Sequence, residues 1–84
     1  DRPVLVLLPP QPAYRTEADA YGYESRRRSV LAWLKQLKNV SVVDATDLGS
    51  FGGSAGEFED NVHMSQVNMD KLLEHLNQLG LLKP

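Results

Sequence analysis

Apolar residues fall in four blocks along the chain, and their spacing differs from block to block. Residues 4–8, "VLVLL", form a continuous apolar run stopped by "PPQP" at 9–12. Prolines cannot donate to a ladder and hold the preceding residue extended, so the run predicts a short strand that ends there. It does not alternate, which predicts a strand covered on both faces, as in a parallel sheet under helices. From Ser25 the period lengthens. Val30, Leu31, Leu34 and Leu37 make one helical stripe, Trp33 packs beside it, and Asn39 terminates the helix. "VSVVDATDL" at 40–48 predicts a second buried strand ending near Asp44. Ser65 is a good N-cap, and Met69, Leu72, Leu73, Leu76 and Leu79 mark a last amphipathic helix closed by Gly80, with Pro84 at the chain end.

The intervening segments carry weaker patterns. "AYRTEADAYGYE" at 13–24 has no clean period and reads as an ordered loop with room for a short helical turn. "GSFGGSAG" at 49–56 reads as a flexible glycine–serine loop without internal structure. The order is therefore β–loop–α–β–loop–α. A strand–helix–strand crossover of this length is a right-handed βαβ unit.

Two buried parallel strands alone would leave two unpaired edges. The expected architecture is thus α/β: a βαβα fragment of a doubly wound parallel sheet, three-layered in its parent. Residues 1–84 would form a single small domain, the carboxyl-terminal half of a larger one whose other strands precede Asp1. A first residue other than methionine fits a chain that begins inside a longer translation product. Expressed alone, such a piece would tolerate open edges or pair with a second copy through them.

Composition narrows the function. A chain of 84 residues supports one domain with a thin core. It has no cysteine, hence no disulfide, no thiolate nucleophile and no cysteine-based zinc site, though this leaves the compartment open. A net charge of -2 with mixed signs argues against a nucleic-acid partner, which would need a basic face. The "RRR" at 26–28 reads as a solvated helix face. No apolar run approaches the ~20 residues of a membrane span or the length of a signal-peptide core.

The candidate chemistry lies in "GEFEDNVHMSQVNMDKLLEHL" at 56–76, where Asp60 stands three places before His63. That spacing, in a loop before a helix, lets the carboxylate reach Nδ1–H and leaves Nε2 free to take a proton from a hydroxyl. The loop would follow the second strand at the sheet's carboxyl end, where α/β sites gather. The same spacing is also common as polar lead-in to a helix, so the residues alone leave both readings open.

Other candidates weigh less. Ser54 in "GGSAG" matches G-x-S-x-G, but the strand before and helix after that a nucleophile elbow needs are not evident. Glu57, Glu59, Asp60 and His63 could suit a hard divalent ion. No second histidine sits at matched spacing, because His75 lies mid-helix and reads as a surface residue, so neither metal nor cofactor is expected. Tyr14, Tyr21 and Tyr23, with Arg15, either line a carbohydrate or acyl cleft or pack their loop against the helix.

"FEDNVHMSQVNMDKLLEHL" resembles the last conserved block of the SGNH (GDSL-type) hydrolases: Asp-x-x-His, a small capping residue two places on, then an amphipathic closing helix. "VLVLLPPQPAY" is similar to that family's late strand with its proline-rich turn, and "VSVVDATDL" to the strand that follows. The resemblance is greatest to the cell-envelope relatives of alginate acetylation and D-alanine transfer, whose F-x-D-x-x-H signature corresponds here to Phe58, Asp60 and His63. It spans nearly the whole chain, but only Asp60 and His63 are diagnostic. Met64 departs from the proline often found after the histidine.

The resemblance implies an acyl-ester hydrolase (esterase) or O-acyltransferase in which Asp60 orients His63 and His63 is the general base. The serine nucleophile and the oxyanion-hole glycine and asparagine would belong to the N-terminal remainder of the parent chain, so this chain alone would be inactive. An acyl-ester or carbohydrate substrate and an extracytoplasmic or cell-envelope location are implied in the same way. The alternative is a non-catalytic small α/β protein-interaction module whose strand edges recruit a partner or a second copy.

Overall fold

A computed structural model describes residues 3–82; Asp1 and Pro84 lie outside them. Strands form at both predicted places, β1 at Val4–Leu7 and β2 at Ser41–Asp44. They pair in parallel, with Leu5 opposite Val42 and Val6 opposite Val43. Two helices rather than one make the crossover, α1 at Pro12–Asp19 and α2 at Tyr23–Leu34. After β2 come a 3₁₀ turn at Leu48–Phe51 and then α3 at Gln66–Gln78. The protein is α/β.

The expected loop at 13–24 is thus mostly helical. Pro12 is the first helical residue, a position where a missing N–H costs nothing. The Gln11 side chain caps the helix, its Oε1 accepting from the amides of Ala13 (2.7 Å) and Tyr14 (3.1 Å). The proline that ends the strand region also opens a helix. Gly22, at φ 86°, turns the chain from α1 into α2, so α2 begins at Tyr23, ahead of Ser25.

α2 buries less than its stripe predicts. Leu31 is its one buried residue, while Val30 and Leu37 are exposed and Trp33 is 61 % exposed, so Trp33 is not packed. The helix stops at Leu34. Asn39 takes its left-handed conformation (φ 62°) in the turn before β2 instead of at the helix end.

The core forms on one face of the sheet. Ala45, Leu48, Phe51, Met64, Leu72 and Leu76 make a buried cluster, with Val6, Val43, Phe58, Met69 and Leu81 packed against it. Burial of Leu72 and Leu76 contributes about 1.5–3 kcal/mol each. Phe51 and Leu48 come from the 3₁₀ turn, so the 49–56 segment is not a featureless loop. Gly53 lies so close beneath them that a Cβ there would stand 2.6 Å from Leu48 Cδ2.

α3 uses a narrower seam than its leucines predict. Asn68, Leu72 and Leu76 are buried, whereas Leu73 and Leu79 are exposed. Gly80 (φ 77°) closes the helix as predicted. Its amide donates to the carbonyl of Asn77 (2.9 Å) and that of Leu81 to Leu76 (3.1 Å), which folds Leu81 back onto the core.

Side chains alternate along β1, so Leu5 and Leu7 face away from α3. On that face Arg27 of α2 reaches Asp44 of β2 at 2.6 Å. Coverage of both faces is incomplete, contrary to expectation: Leu5 and Leu8 remain exposed. The carbonyls of Pro3 and Leu7 accept from Ser41 and Ala45. That alternation turns the backbone groups of Val4 and Val6 to the outer edge, which no strand among the described residues pairs. No helix among the described residues is long and apolar enough to cross a membrane.

Candidate functional site

The loop before α3 is built from short local bonds. Phe58 and Met64 form an isolated antiparallel bridge, the Glu59 amide donates to the His63 carbonyl (2.8 Å), and that of Ser65 donates to the Glu57 carbonyl (3.0 Å). Within this turn Asp60 Oδ1 accepts the amides of Val62 and His63, each at 2.8 Å. The same carboxylate meets the His63 ring, with Nδ1 2.9 Å from Oδ1 and 2.8 Å from Oδ2. The side chains predicted to meet do meet.

The Val62 N–H, the His63 ring and the His63 N–H together hold the Asp60 carboxyl below the ordinary aspartate range. An ionised carboxylate accepts only, so Nδ1 carries a proton, and in the neutral ring Nε2 is then the acceptor. Nε2 has no hydrogen-bond partner among the described residues, and 70 % of the His63 side chain is exposed. The pair is oriented and open to solvent.

Its place in the fold follows from a bond to the other end of the chain. The Gln11 amide, just beyond β1, donates to the Asn61 carbonyl at 2.9 Å. The Asp60–His63 loop therefore lies at the carboxyl end of β1, where ligands bind in open parallel sheets.

Ser54 has other partners. Its amide donates to Asn68 Oδ1 (2.8 Å), its carbonyl accepts from Asn68 Nδ2 (2.9 Å), and its Oγ accepts from Lys71 Nζ (3.3 Å). A 3₁₀ turn precedes it and no helix follows directly, so the strand–turn–helix frame of a nucleophile elbow is missing. Among the described residues no hydroxyl donates to His63.

No three of the described histidine and acidic side chains come together in a way that could hold a metal ion. Glu57 Oε1 accepts from Ser65 Oγ (3.4 Å), away from Asp60. His75 is half-buried near the end of α3 and borders a small polar hollow with Lys71 and Glu74.

The three tyrosines converge. Tyr14, Tyr21 and Tyr23 line one groove of about 720 Å³ with the end of β1 and its prolines, and Val62 is part of its wall. Arg15 does not line it. Its guanidinium lies 5.3 Å from the centre of the Tyr23 ring and bonds Glu24 (3.0 Å) and the Thr46 carbonyl (3.1 Å). Burial pushes the Tyr23 hydroxyl up, against the pull of Arg15 and Arg27.

Arg27 is likewise not a solvated residue of the "RRR" run. It grips Glu24 with Nε (2.9 Å) and Nη2 and Asp44 with Nη1, and only 17 % of its side chain is exposed. Arg27 first, with Arg15 adding to it, pulls the Glu24 carboxyl down to about 2. Burial pushes Asp44 up, but the Thr46 hydroxyl and amide and the two arginines outweigh it and leave Asp44 lowered. This network ties α1 and α2 to the end of β2, and two of its members, Arg27 and Thr46, line the groove.

Two of these features carried no readable sequence signal. Asn68 sits at an apolar helix position, fully buried, and its partners lie 11 and 14 residues away. Arg27 is one of three adjacent arginines, and Asp44 is 17 residues off. Comparisons of the chain with family models, with curated proteins and with solved structures find no match.

Proposed function

We propose that this chain carries the acid–base part of an SGNH-like acyl-ester hydrolase or O-acyltransferase, with the serine nucleophile and oxyanion hole supplied by residues outside those described. The parent sheet, in this reading, is doubly wound, and β1 and β2 are its last two strands. The observation that carries the proposal is the two-oxygen grip of Asp60 on His63 Nδ1, which leaves Nε2 bare at the carboxyl end of the sheet.

The chemistry follows from that geometry. A serine hydroxyl gives its proton to Nε2 as its oxygen bonds the acyl carbon, and the carbonyl π electrons move onto oxygen. Asp60 stabilises the imidazolium. As the acyl–oxygen bond to the alcohol breaks, His63 returns the proton to the departing alkoxide. Water or an acceptor hydroxyl then repeats the steps on the acyl-serine.

Two measurements test this. Long-range ¹H–¹⁵N correlation should find neutral His63 protonated at Nδ1; a dominant Nε2–H form would sink the general-base role. The purified chain should turn over no p-nitrophenyl ester. Turnover abolished by Ser54→Ala would place the nucleophile inside the chain and overturn the proposal.

The bare edge of β1, with Leu5 and Leu8 exposed beside it, favours a second reading, a non-catalytic interaction module. Proline at position 4 would remove an outward N–H without touching the β2 ladder. A dimer in sedimentation equilibrium that Val4→Pro dissolves would support this reading; a monomer at all concentrations would count against a second copy as its partner.

A further inference from the structure

The groove of about 720 Å³ is not used by the Asp60–His63 contact, yet Val62, the neighbour of His63, walls it. We infer that the groove seats the acyl chain of an uncharged ester, the substrate class on which His63 would act. This inference rests on the catalytic reading for its purpose but on the groove alone for its binding.

Size and lining come first. The volume lies within the ~300–1,000 Å³ of small-molecule sites. The walls are mainly apolar, with Leu7, Leu8, Pro9, Pro10, Ala18 and Val30 among them. A sugar would need several convergent polar side chains. Here the Thr46 hydroxyl is already committed to Asp44, which leaves the charged Arg26 and Glu17 and the uncharged tyrosine hydroxyls. The tyrosine hydroxyls have no hydrogen-bond partner among the described residues and are suited to a single ester carbonyl.

Charge then decides between a neutral and an ionic ligand. Of the charged groups in the lining, Arg27 is neutralised by Glu24 and Asp44. Arg26 and Glu17 remain, one of each sign, and neither has an ion-pair partner among the described residues. Their fields offset, so neither a polyanion nor a polycation is selected. An acyl chain ending in an uncharged ester matches the apolar walls, the few free hydroxyls and the balanced charge.

The test is a titration of the ¹⁵N-labelled chain with glycerol and with its monobutanoyl, monohexanoyl and monooctanoyl esters below their aggregation limits. Amide shifts should concentrate at Leu8, Ala18, Tyr21, Val30 and Val62. Binding should tighten with chain length, by up to about fourfold per buried methylene. Val30→Glu, at an exposed helix position, should weaken monooctanoylglycerol at least fivefold. Val67→Glu, equally exposed but on α3 away from the groove, should not.

Any of these results would overturn the inference: absence of groove shifts with every ester, no dependence on chain length, equal weakening by Val67→Glu, or groove shifts with methyl glucoside and none with the esters. Concentration-dependent shifts of the same amides without ligand would assign the groove to a second copy instead and would also overturn it. None of these measurements involves turnover. Loss of binding with His63 still protonated at Nδ1 would remove only the acyl groove, whereas binding with the other tautomer would remove only the catalytic reading.

Discussion

The backbone amide of Gln11 donates to the carbonyl of Asn61 at 2.9 Å, and this bond joins the end of β1 to the loop that carries Asp60 and His63. The residues are fifty apart in sequence. Gln11 also caps α1 through Oε1, and its Nε2 lies 3.4 Å from the Ala55 carbonyl. One residue therefore fixes the start of a helix, the exit of a strand and the seat of the imidazole. The position of His63 is a tertiary property, while its contact with Asp60 is a local one.

Asp60 has two separable duties, and two substitutions divide them. Asparagine keeps an oxygen for the amides of Val62 and His63, so Asp60→Asn should leave the loop folded while removing the charge that holds the proton on Nδ1. Asp60→Ala should lose both. Hydrogen exchange at Val62 and His63 should accelerate at least tenfold in Asp60→Ala and little in Asp60→Asn. The Nδ1–H signal of His63 should fall in both variants. Fast exchange in the asparagine variant as well would show that charge, and not the acceptor oxygen, holds the turn.

The acid limb of stability should report Glu24. Its folded carboxyl titrates at about 2, below the unfolded value, so it stabilises the fold above the unfolded pKa and loses that contribution as pH falls toward 2. Asp44 and Asp60 are lowered too, and their contributions disappear in the same direction. More than a third of the Glu24 side chain faces water, so solvent screens the pair and salt should weaken it. Thermal melts from pH 5 to pH 2 should fall steeply for the native chain and less steeply for Glu24→Gln. Parallel curves would mean that the Arg15–Glu24–Arg27 network contributes nothing.

The parts legible in the sequence are those whose signals are local. An apolar run met by prolines marks β1, "VSVVD" marks β2, and Gly80 ends α3; Ser65 holds the N-cap position, but its hydroxyl donates to Glu57 and does not cap the helix. Asp60 and His63 touch because three residues of turn suffice to bring them together. α1 escaped notice because its cap is the glutamine of "PPQP" and its first residue a proline, read only as a stop. Leucine spacing overstated the buried seam of α3 because a polar residue, Asn68, occupies its first place. Trp33 reads as packing by residue type, yet α2 turns only Leu31 fully inward. The tyrosines of 13–24 were open between cleft and packing; helix α1 and Gly22 aim them at a groove.

Asn68 should be the most costly polar side chain to remove. It is fully buried, and its carboxamide bonds the amide and carbonyl of Ser54 and the carbonyl of Glu57 (2.8 Å). Truncation leaves those backbone groups unpaired in the interior as well as a cavity. Asn68→Ala should cost about 2–4 kcal/mol in urea unfolding. Asn68→Asp, which keeps the shape but lacks the donors, should not rescue it. A loss below about 0.5 kcal/mol would mean that water replaces the carboxamide and that the 54–57 loop does not depend on it.

Gly53 tests whether the segment after β2 is as closely packed as the core cluster implies. A methyl there would stand 2.6 Å from Leu48 Cδ2 and 2.9 Å from Phe51 Cε2, far inside van der Waals contact. Both neighbours are side chains, so the clash could be relieved by rotation, but both are buried against Leu72 and Leu76 and have little room. Gly53→Ala should therefore destabilise by about 1–3 kcal/mol, the usual cost of overpacking. Gly56 meets nothing within 4 Å and has no left-handed backbone, so Gly56→Ala should be neutral or slightly stabilising through the unfolded chain. Equal stability of the two variants would show that the 3₁₀ turn yields freely, and Leu48 and Phe51 would then be loosely held lids and not fixed members of the core.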